Sequence, residues 1–190
     1  MVRVAIIIGS VRKGRQTHKI AHYIKERFEE KDSIEIRILD LLDYNLPILE
    51  DEDEIDSASR ESIRSLGEEL KRSDSVILIS PEYHGSFTGV LKNALDYYWK
   101  EFSQKPIGIA TVSTGKHGGI NASSQMQLLA LSLGGYALPY KLIIPYADKA
   151  FDENNKPALP EIEKNTEKFM KDFLWFSNAI VNAKNGVMNE

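Results

Sequence analysis

Short apolar runs alternate with stretches of helical periodicity along most of this chain. Five runs have the length and the β-branched character of strands, and we predict strands at 2–8, 34–39, 75–80, 106–112 and within 136–144. The run 75–80 (SVILIS) is typical of a fully buried strand of a parallel sheet. Pro139 should break the last strand, because proline has no backbone N–H for the sheet ladder.

Helical periodicity fills the gaps between these strands. The first helix begins near Thr17 and places Ile20, Ile24 and Phe28 on one face. Further helices are predicted over 57–73 and 91–98, over the stretch that contains 126–133, and from Pro160 onward. The segment 40–56 is acidic, contains proline and has no periodicity, so it is predicted to be a long loop.

Strand and helix therefore alternate five times, which predicts an α/β fold. Strands joined in this way form a parallel sheet, with right-handed crossovers that place helices on both faces. The chain has 190 residues and no linker or repeat, so we expect a single domain over 1–190. Ligands of such sheets bind beyond the carboxyl ends of the strands.

Composition narrows the classes of function. The net charge of −4 argues against nucleic-acid and membrane-surface binders, because both need a basic field. The chain has no cysteine, which excludes disulfides, thiolate metal sites and a cysteine nucleophile. No apolar stretch reaches the roughly 18 residues of a membrane span. We expect a cytoplasmic protein with neither nucleic acid nor membrane as a partner.

The first strand runs directly into a glycine-rich, basic loop, GSVRKGRQTHKIA at 9–21. Gly9 and Gly14 have the spacing of a Walker A loop, but that motif continues with Lys and then Ser or Thr, where this chain has Arg15 and Gln16. The Gly-x-Gly-x-x-Gly pattern of dinucleotide-binding folds is absent as well. An NTPase and a Rossmann-type site are both disfavoured.

The donors that this loop does offer suit a single terminal phosphate. Ser10 and Thr17 supply hydroxyl groups, and Arg12 and Arg15 supply guanidinium groups. Backbone N–H groups at the start of the following helix would complete the cradle. The alternative is a plain turn with solvated arginines.

Two more loops with unusual chemistry follow predicted strands. They are PEYHGSFT at 81–88 and STGKHGG at 113–119. The carboxyl ends of parallel strands lie at one edge of the sheet, so we expect both loops to meet the first one there.

With all three loops in view, the chain resembles the NADPH-dependent FMN reductase family of flavodoxin-like proteins, which includes quinone, azo-dye and chromate reductases. The resemblance rests on GSVRKGR at 9–15, PEYHGSFTGVLKNALDYY at 81–98 and STGKHGG at 113–119. The middle motif is the most specific of the three. The resemblance implies a flavodoxin-like fold, with a five-stranded parallel sheet of order 2-1-3-4-5 and helices on both faces.

The resemblance also implies the cofactor and its site. The cofactor would be FMN, with NADPH or NADH as co-substrate. Its phosphate would be bound by Ser10, Arg12, Arg15 and Thr17, with Gln16 close by. Its isoalloxazine ring would be lined by Pro81, Glu82, Tyr83, His84 and Gly85 and bordered by Ser113, Gly115, Gly118 and Gly119. The family often has Asn where this chain has His84, which leaves the side-chain contact at that position open.

The residue types agree with this assignment, although each also has an ordinary structural explanation. Glycine permits close backbone approach to a flat ring, but glycines after a strand are also common in turns. Tyr83 can flank or stack on a ring, or it can simply close the loop with His84. The pair His18 and His22 has a spacing that can bind metal, but no third ligand is evident.

The helix after the second of these loops carries further motif residues. Asn93 is predicted to fix the preceding loop by hydrogen bonding. The aromatic cluster 97–99 is interpreted as core plus a subunit interface, and the resemblance implies a homodimer or homotetramer.

No catalytic acid, base or nucleophile stands out, which fits a protein whose cofactor carries the chemistry. We therefore predict an oxidoreductase that moves a hydride from NAD(P)H to FMN and then reduces a small-molecule acceptor. A quinone, an azo compound, free flavin or a metal oxyanion could fill that place. The alternatives are an electron-carrier flavodoxin without NAD(P)H turnover, and an α/β interaction protein that has lost its flavin. Arg12, Arg15 and the modest net charge weigh against the carrier.

Overall fold

The computed structural model describes residues 1–29, 34–50 and 54–187. Its strands are β1 (Val2–Ile8), β2 (Ile34–Asp40), β3 (Ser75–Pro81), β4 (Pro106–Val112), β5 (Tyr136–Ala137) and β6 (Leu142–Ile144). Its helices are α1 (Thr17–Glu29), α2 (Leu41–Tyr44), α3 (Ser57–Arg72), α4 (Gly89–Asp96), α5 (Ile120–Ser132) and α6 (Pro160–Val187). None of these helices is long and apolar enough to cross a bilayer.

The strands form one parallel sheet in the predicted order. The path is β2-β1-β3-β4-β5, and β6 pairs with β4 beside β5. The predicted last strand is thus split into two short pieces on either side of Pro139. Leu138 still donates its backbone N–H to the Ile107 carbonyl at 2.8 Å, so the sheet ladder stops just before the proline, as its missing donor requires.

Helices cover both faces of this sheet, as predicted. Alternate residues of a strand point to opposite faces, so Ile6 and Ile8 pack on one side and Ile7 on the other. The first side is closed by α1 and α6 through Ile20, Ile24, Phe28, Phe169 and Phe173. The second side is closed by α3, α4 and α5 through Leu66, Leu70, Leu91, Leu95 and Met126.

The prediction of a continuous loop over 40–56 was wrong for its first part. Residues Leu41–Tyr44 form α2, and the Asp40 carboxylate caps it by accepting the Leu42 N–H at 3.0 Å. Asn45 ends the helix in the left-handed region. A helix of one turn leaves no periodicity to read, although its Asp cap was visible. Residues 51–53 of the acidic run lie outside the described residues.

Asn93 fixes a different loop from the one predicted. Its amide donates to the Pro47 carbonyl at 2.6 Å and accepts the Leu49 N–H at 2.9 Å. The Tyr97 hydroxyl donates to the same Pro47 carbonyl at 3.1 Å. The stretch 46–50 is therefore held against α4. Within the aromatic cluster, Tyr98 is buried in the core and Trp99 is 85% exposed.

Candidate functional site

The loops that follow β1, β3 and β4 meet at the carboxyl edge of the sheet and enclose a cleft of about 140 Å³. Nine of the predicted site residues line it: Ser10, Arg12, Arg15, Gln16, Thr17, Pro81, Glu82, Tyr83 and Ser113. The remaining five belong to the same loops without forming walls of this cleft: His84, Gly85, Gly115, Gly118 and Gly119. Val112, Thr114 and Ala147 complete the walls, and sequence reasoning missed all three.

The loop after β1 presents buried polar groups at the start of α1. Ser10 is 2% exposed and Thr17 is fully buried. The Thr17 Oγ1 atom has no hydrogen-bond partner within the described parts of the chain. A buried polar atom left unsatisfied costs about 1–3 kcal/mol, so a ligand oxygen here would stabilise the loop. The first turn of α1 carries no acidic residue, so its positive end is free to attract an anion.

Arg15 lines the cleft and forms an ion pair with a carboxylate at the end of β2. The two terminal nitrogens of Arg15 donate to the Asp40 carboxylate at 2.6 and 2.5 Å, and Nη1 also donates to the Ser10 carbonyl at 2.6 Å. Both side chains of this ion pair are about 15% exposed. Arg15 thus joins the end of β2 to the loop after β1. Asp40 was not among the predicted site residues, although its place at the end of a strand was a usable signal.

The loop after β3 is built on a tight two-residue turn. Tyr83 and Ser86 exchange backbone hydrogen bonds at 2.8 and 3.0 Å. Between them, His84 and Gly85 both have positive φ, 51° and 79°. This is the backbone of a type I′ turn, which favours glycine and tolerates asparagine and histidine better than most residues. The residue type at position 84 is therefore explained by the backbone, whatever its side chain contacts.

Two side chains from α5 hold the same loop in place. Gln125 donates to the Gly85 carbonyl at 2.7 Å and accepts the Ser86 hydroxyl at 2.6 Å. The Glu82 carboxylate accepts the Ala122 N–H at 3.0 Å and reaches the Asn121 amide at 3.4 Å. Gly119 stands at the cap position of α5 and has no side chain, so Glu82 caps this helix from another loop.

The loop after β4 is packed tightly at its second half. Gly118 and Gly119 have φ of 59° and 90°, and a Cβ on Gly118 would lie 2.5 Å from Ile143. Their lack of a side chain is thus required by packing and by backbone conformation. The Ser113 carbonyl accepts the Ala147 N–H at 3.0 Å, which ties the loop to the segment after β6. That segment also follows a parallel strand, so its place at this edge could have been inferred.

The two histidines on α1 lie away from the cleft. His18 and His22 line a separate surface cavity with Glu26 and Asp152. Burial lowers the pKa of His18, and the neighbouring Arg15 guanidinium lowers it further. Within 1–29, 34–50 and 54–187, no three side chains of the His, Cys, Asp or Glu type, these included, are arranged so that they could hold a metal ion.

Comparison with known proteins decides the family. The sequence model of the NADPH-dependent FMN reductase family matches residues 2–149, which include all three loops. The chain belongs to this family. It is 30% identical to the NADPH azoreductase of Bacillus sp. (strain OY1-2) over 173 residues, which cover 89% of this chain and 93% of that protein. It is 34% identical to the FMN-dependent NADPH-azoreductase of Staphylococcus aureus (strain USA300) over 164 residues, with 83% and 85% covered.

A solved structure supports the same fold for this FMN reductase family member. FerB, a flavoenzyme NAD(P)H:(acceptor) oxidoreductase from Paracoccus denitrificans, superposes with a TM-score of 0.82 at 24% identity. The match covers 94% of this chain and 98% of that one. The flavodoxin-like fold predicted from the sequence is confirmed.

The cap that Glu82 provides to α5 of this reductase can be tested through stability. Replacing Glu82 with Ala leaves the Ala122 N–H without its acceptor and removes the contact with the Asn121 amide, and should lower the free energy of unfolding by about 1 kcal/mol. Glu82→Gln keeps an acceptor oxygen and should lose less. Urea unfolding measures both, with Glu153→Ala, an exposed carboxylate in another turn, as the control. Equal stability of Glu82→Ala and the wild type would contradict the assignment.

Proposed function

We propose that this protein is an NAD(P)H-dependent, FMN-containing oxidoreductase that reduces a small-molecule acceptor such as a quinone, an azo compound, free flavin or a metal oxyanion. The observation that carries the proposal is the meeting of the phosphate-type loop 9–17 with the loops 81–86 and 113–119 around one cleft. Membership of the NADPH-dependent FMN reductase family supports the same function.

The residues of the cleft fit an FMN phosphate. The buried Thr17 hydroxyl lacks a partner among the described residues, and the Ser10 side chain is buried beside it on the same loop. Arg12 adds a positive charge to the wall, and α1 directs its positive end there. In this proposal Ser10, Arg12 and Thr17 bind the phosphate directly, with Gln16 at its side.

The two glycine-containing loops fit the ring of FMN. Tyr83 is 39% exposed and forms part of the cleft wall, where it can flank a flat ring. A Cβ at Gly85 would meet nothing within 4 Å, so this turn leaves room for close approach. Bound FMN would supply the redox chemistry, by accepting a hydride from NAD(P)H and delivering two electrons to the acceptor. We assign Pro81 to Gly85, Ser113, Gly115, Gly118 and Gly119 to the ring side of the site.

The protein's own residues would position the cofactor and shield it from water, and none of them needs to act as a catalytic acid. Among the described residues of the cleft wall, Glu82 is the one carboxylate, and its oxygens already accept hydrogen bonds from the start of α5. Backbone N–H groups of the loops 81–86 and 113–119 can favour the negative charge that a reduced flavin carries.

We further propose that Arg15 supports the phosphate site through the backbone instead of binding the phosphate itself. Its two terminal nitrogens are both taken by Asp40, and one also holds the Ser10 carbonyl. A bidentate arginine–carboxylate pair that is mostly buried keeps its geometry better than an exposed pair. Arg15 and Asp40 would thus fix the conformation of the loop in which Ser10 and Arg12 lie.

We also propose a homo-oligomer, a homodimer or homotetramer, whose interface includes the outer face of α5. This helix has no charged residue, in a chain of which 27% is charged. The exposed side chains on this outer face are Ile120, Asn121, Ser124, Gln125, Leu128, Leu131 and Ser132. Leu128 and Leu131 are 67% and 59% exposed. An uncharged face can meet its own copy across a two-fold axis without repulsion.

The proposed function is tested by the visible spectrum of the purified protein. After addition of FMN and desalting, a flavin band should remain with the protein. Anaerobic NADPH or NADH should bleach it, and a quinone should restore it. A band that persists in the presence of both nicotinamides would favour an electron carrier, and a preparation that never retains or reduces flavin would contradict the proposal.

The role of Arg15 is tested by a double-mutant cycle on FMN binding. Arg15→Ala and Asp40→Ala should each raise the Kd for FMN about tenfold. The double variant should bind FMN no more weakly than either single variant, because all three lose the same Arg15–Asp40 pair. Binding of riboflavin, which lacks the phosphate, should change less than twofold. Arg3→Ala, which removes an exposed pair with Glu35 at the other end of the sheet, is the control.

Flavin fluorescence measures these constants, and thermal unfolding shows that each variant is folded. If Asp40→Ala binds FMN as tightly as the wild type while Arg15→Ala does not, then Arg15 contacts the phosphate directly.

The interface is tested by light scattering during size-exclusion chromatography. The wild type should have a mass of two or four chains of 21.5 kDa. Leu128→Asp with Leu131→Asp should reduce this mass at least twofold, because buried carboxylates without partners are costly. Ala179→Asp, on the exposed side of α6, should leave it unchanged. A monomeric wild type, or a double variant of unchanged mass, would contradict the proposal.

A further inference from the structure

A second cavity of about 300 Å³ adjoins the cleft. It lies between the loop after β1 and the start of α4, and it shares Ser10, Arg12 and Tyr83 with the cleft. Tyr83, which we assign to the ring side of the cleft, belongs to both, so a molecule bound in the cavity would approach one bound in the cleft at this side chain. The volume of the cavity is at the lower end of the range for small-molecule sites, about 300–1,000 Å³.

The surface of this cavity is mostly apolar, in contrast to the cleft. Val11 is 40% exposed, and it is the one apolar side chain between Gly9 and Thr17, a segment otherwise rich in arginine, lysine and polar residues. Val90 faces the cavity from the first turn of α4, and Tyr83 is 39% exposed beside it. Exposed apolar side chains that share a concave surface favour an apolar ligand, at about 25 cal/mol for each Å² removed from water.

Hydrogen bonds of Thr88 keep the two sides of this cavity in place. The Thr88 hydroxyl donates to the Gly9 carbonyl at 2.5 Å and accepts the Leu91 N–H at 3.3 Å. Its own N–H donates to the Ser80 hydroxyl at 3.2 Å. The residue is 3% exposed, so these bonds are shielded from water. These bonds fix the two walls relative to each other, which reduces the conformational entropy lost on binding.

We propose that this cavity binds the apolar ring of the electron acceptor, and that Val11 and Val90 select neutral aromatic acceptors of the quinone class over small hydrophilic ones. The proposal rests on the proposed function, because the cleft must hold the flavin for the neighbouring cavity to serve the acceptor. Overall, NAD(P)H and one proton convert a quinone to its hydroquinone, with two electrons and two protons gained by the quinone and NAD(P)⁺ released. The described residues of its walls include no carboxylate or histidine, so the second proton comes from solvent.

The test compares two acceptors on variants that keep the shape of the cavity. Threonine is close to valine in size but adds a hydroxyl group, so Val11→Thr with Val90→Thr makes the walls polar without opening them. For menadione, a neutral naphthoquinone, kcat/KM should fall about tenfold. For ferricyanide, a charged acceptor without an apolar surface, kcat/KM should change less than twofold. Val11→Thr alone, in an exposed loop, should give part of the loss and cannot disturb the core.

Leu42→Thr is the matched control, because Leu42 is 50% exposed and lines neither cavity. It should leave both acceptors unchanged. Equal menadione kinetics in the double variant and the wild type would overturn the proposal. An equal loss of kcat/KM for both acceptors would also overturn it. A higher Kd for FMN in the double variant would overturn it as well, because it would assign the cavity to the flavin ring. A wild type that oxidises no NAD(P)H with either acceptor would instead reject the proposed function itself.

Discussion

The parallel direction of the strands is the constraint on which the rest of this molecule depends. At least one helix separates each of the strands β1 to β4 from the next, so these parallel strands all end at the same edge of the sheet. Four segments far apart in sequence must meet there: the loops that begin at Gly9, Glu82 and Ser113, and the segment after Ile144. A cleft at this edge is a consequence of topology, and the side chains of the loops decide what it can bind.

Charge at this edge is arranged by pairing as much as by composition. The loop after β1 carries Arg12, Lys13 and Arg15. Asp40 neutralises the charge of Arg15, and Arg15 also donates a hydrogen bond to the Ser10 carbonyl. The positive field toward a phosphate then comes from the remaining basic groups and the end of α1. This arrangement ties the loop to the end of β2, and the buried Thr17 hydroxyl has no hydrogen-bond partner in the described part of the chain.

The residues of the middle motif, 81–98, have several different structural roles. Glu82 caps α5, His84 and Gly85 form a turn, and Thr88 caps α4 while bonding to the first loop. Asn93 holds the stretch 46–50. Sequence reasoning found these residues through the family resemblance but could not separate their duties, because each depends on a partner 30 or more residues away or on a local φ value. Gln125 was missed because nothing in a helix sequence marks which outward side chain meets a loop.

The sequence by itself determined the class of fold, the order of its elements, the three loops and the family. Those features depend on short-range patterns: apolar periodicity, glycine and proline positions, and motifs read within one segment. The tertiary structure alone decided that Arg15 pairs with Asp40, that Ala147 bonds to Ser113 in the cleft wall and that Val11 and Val90 share a cavity. Each of these contacts joins two segments that are far apart in the chain. The segments come together only when the crossover helices bring the strand ends to one edge of the sheet. A pairing of that kind leaves no local periodicity, so only the packed sheet reveals it.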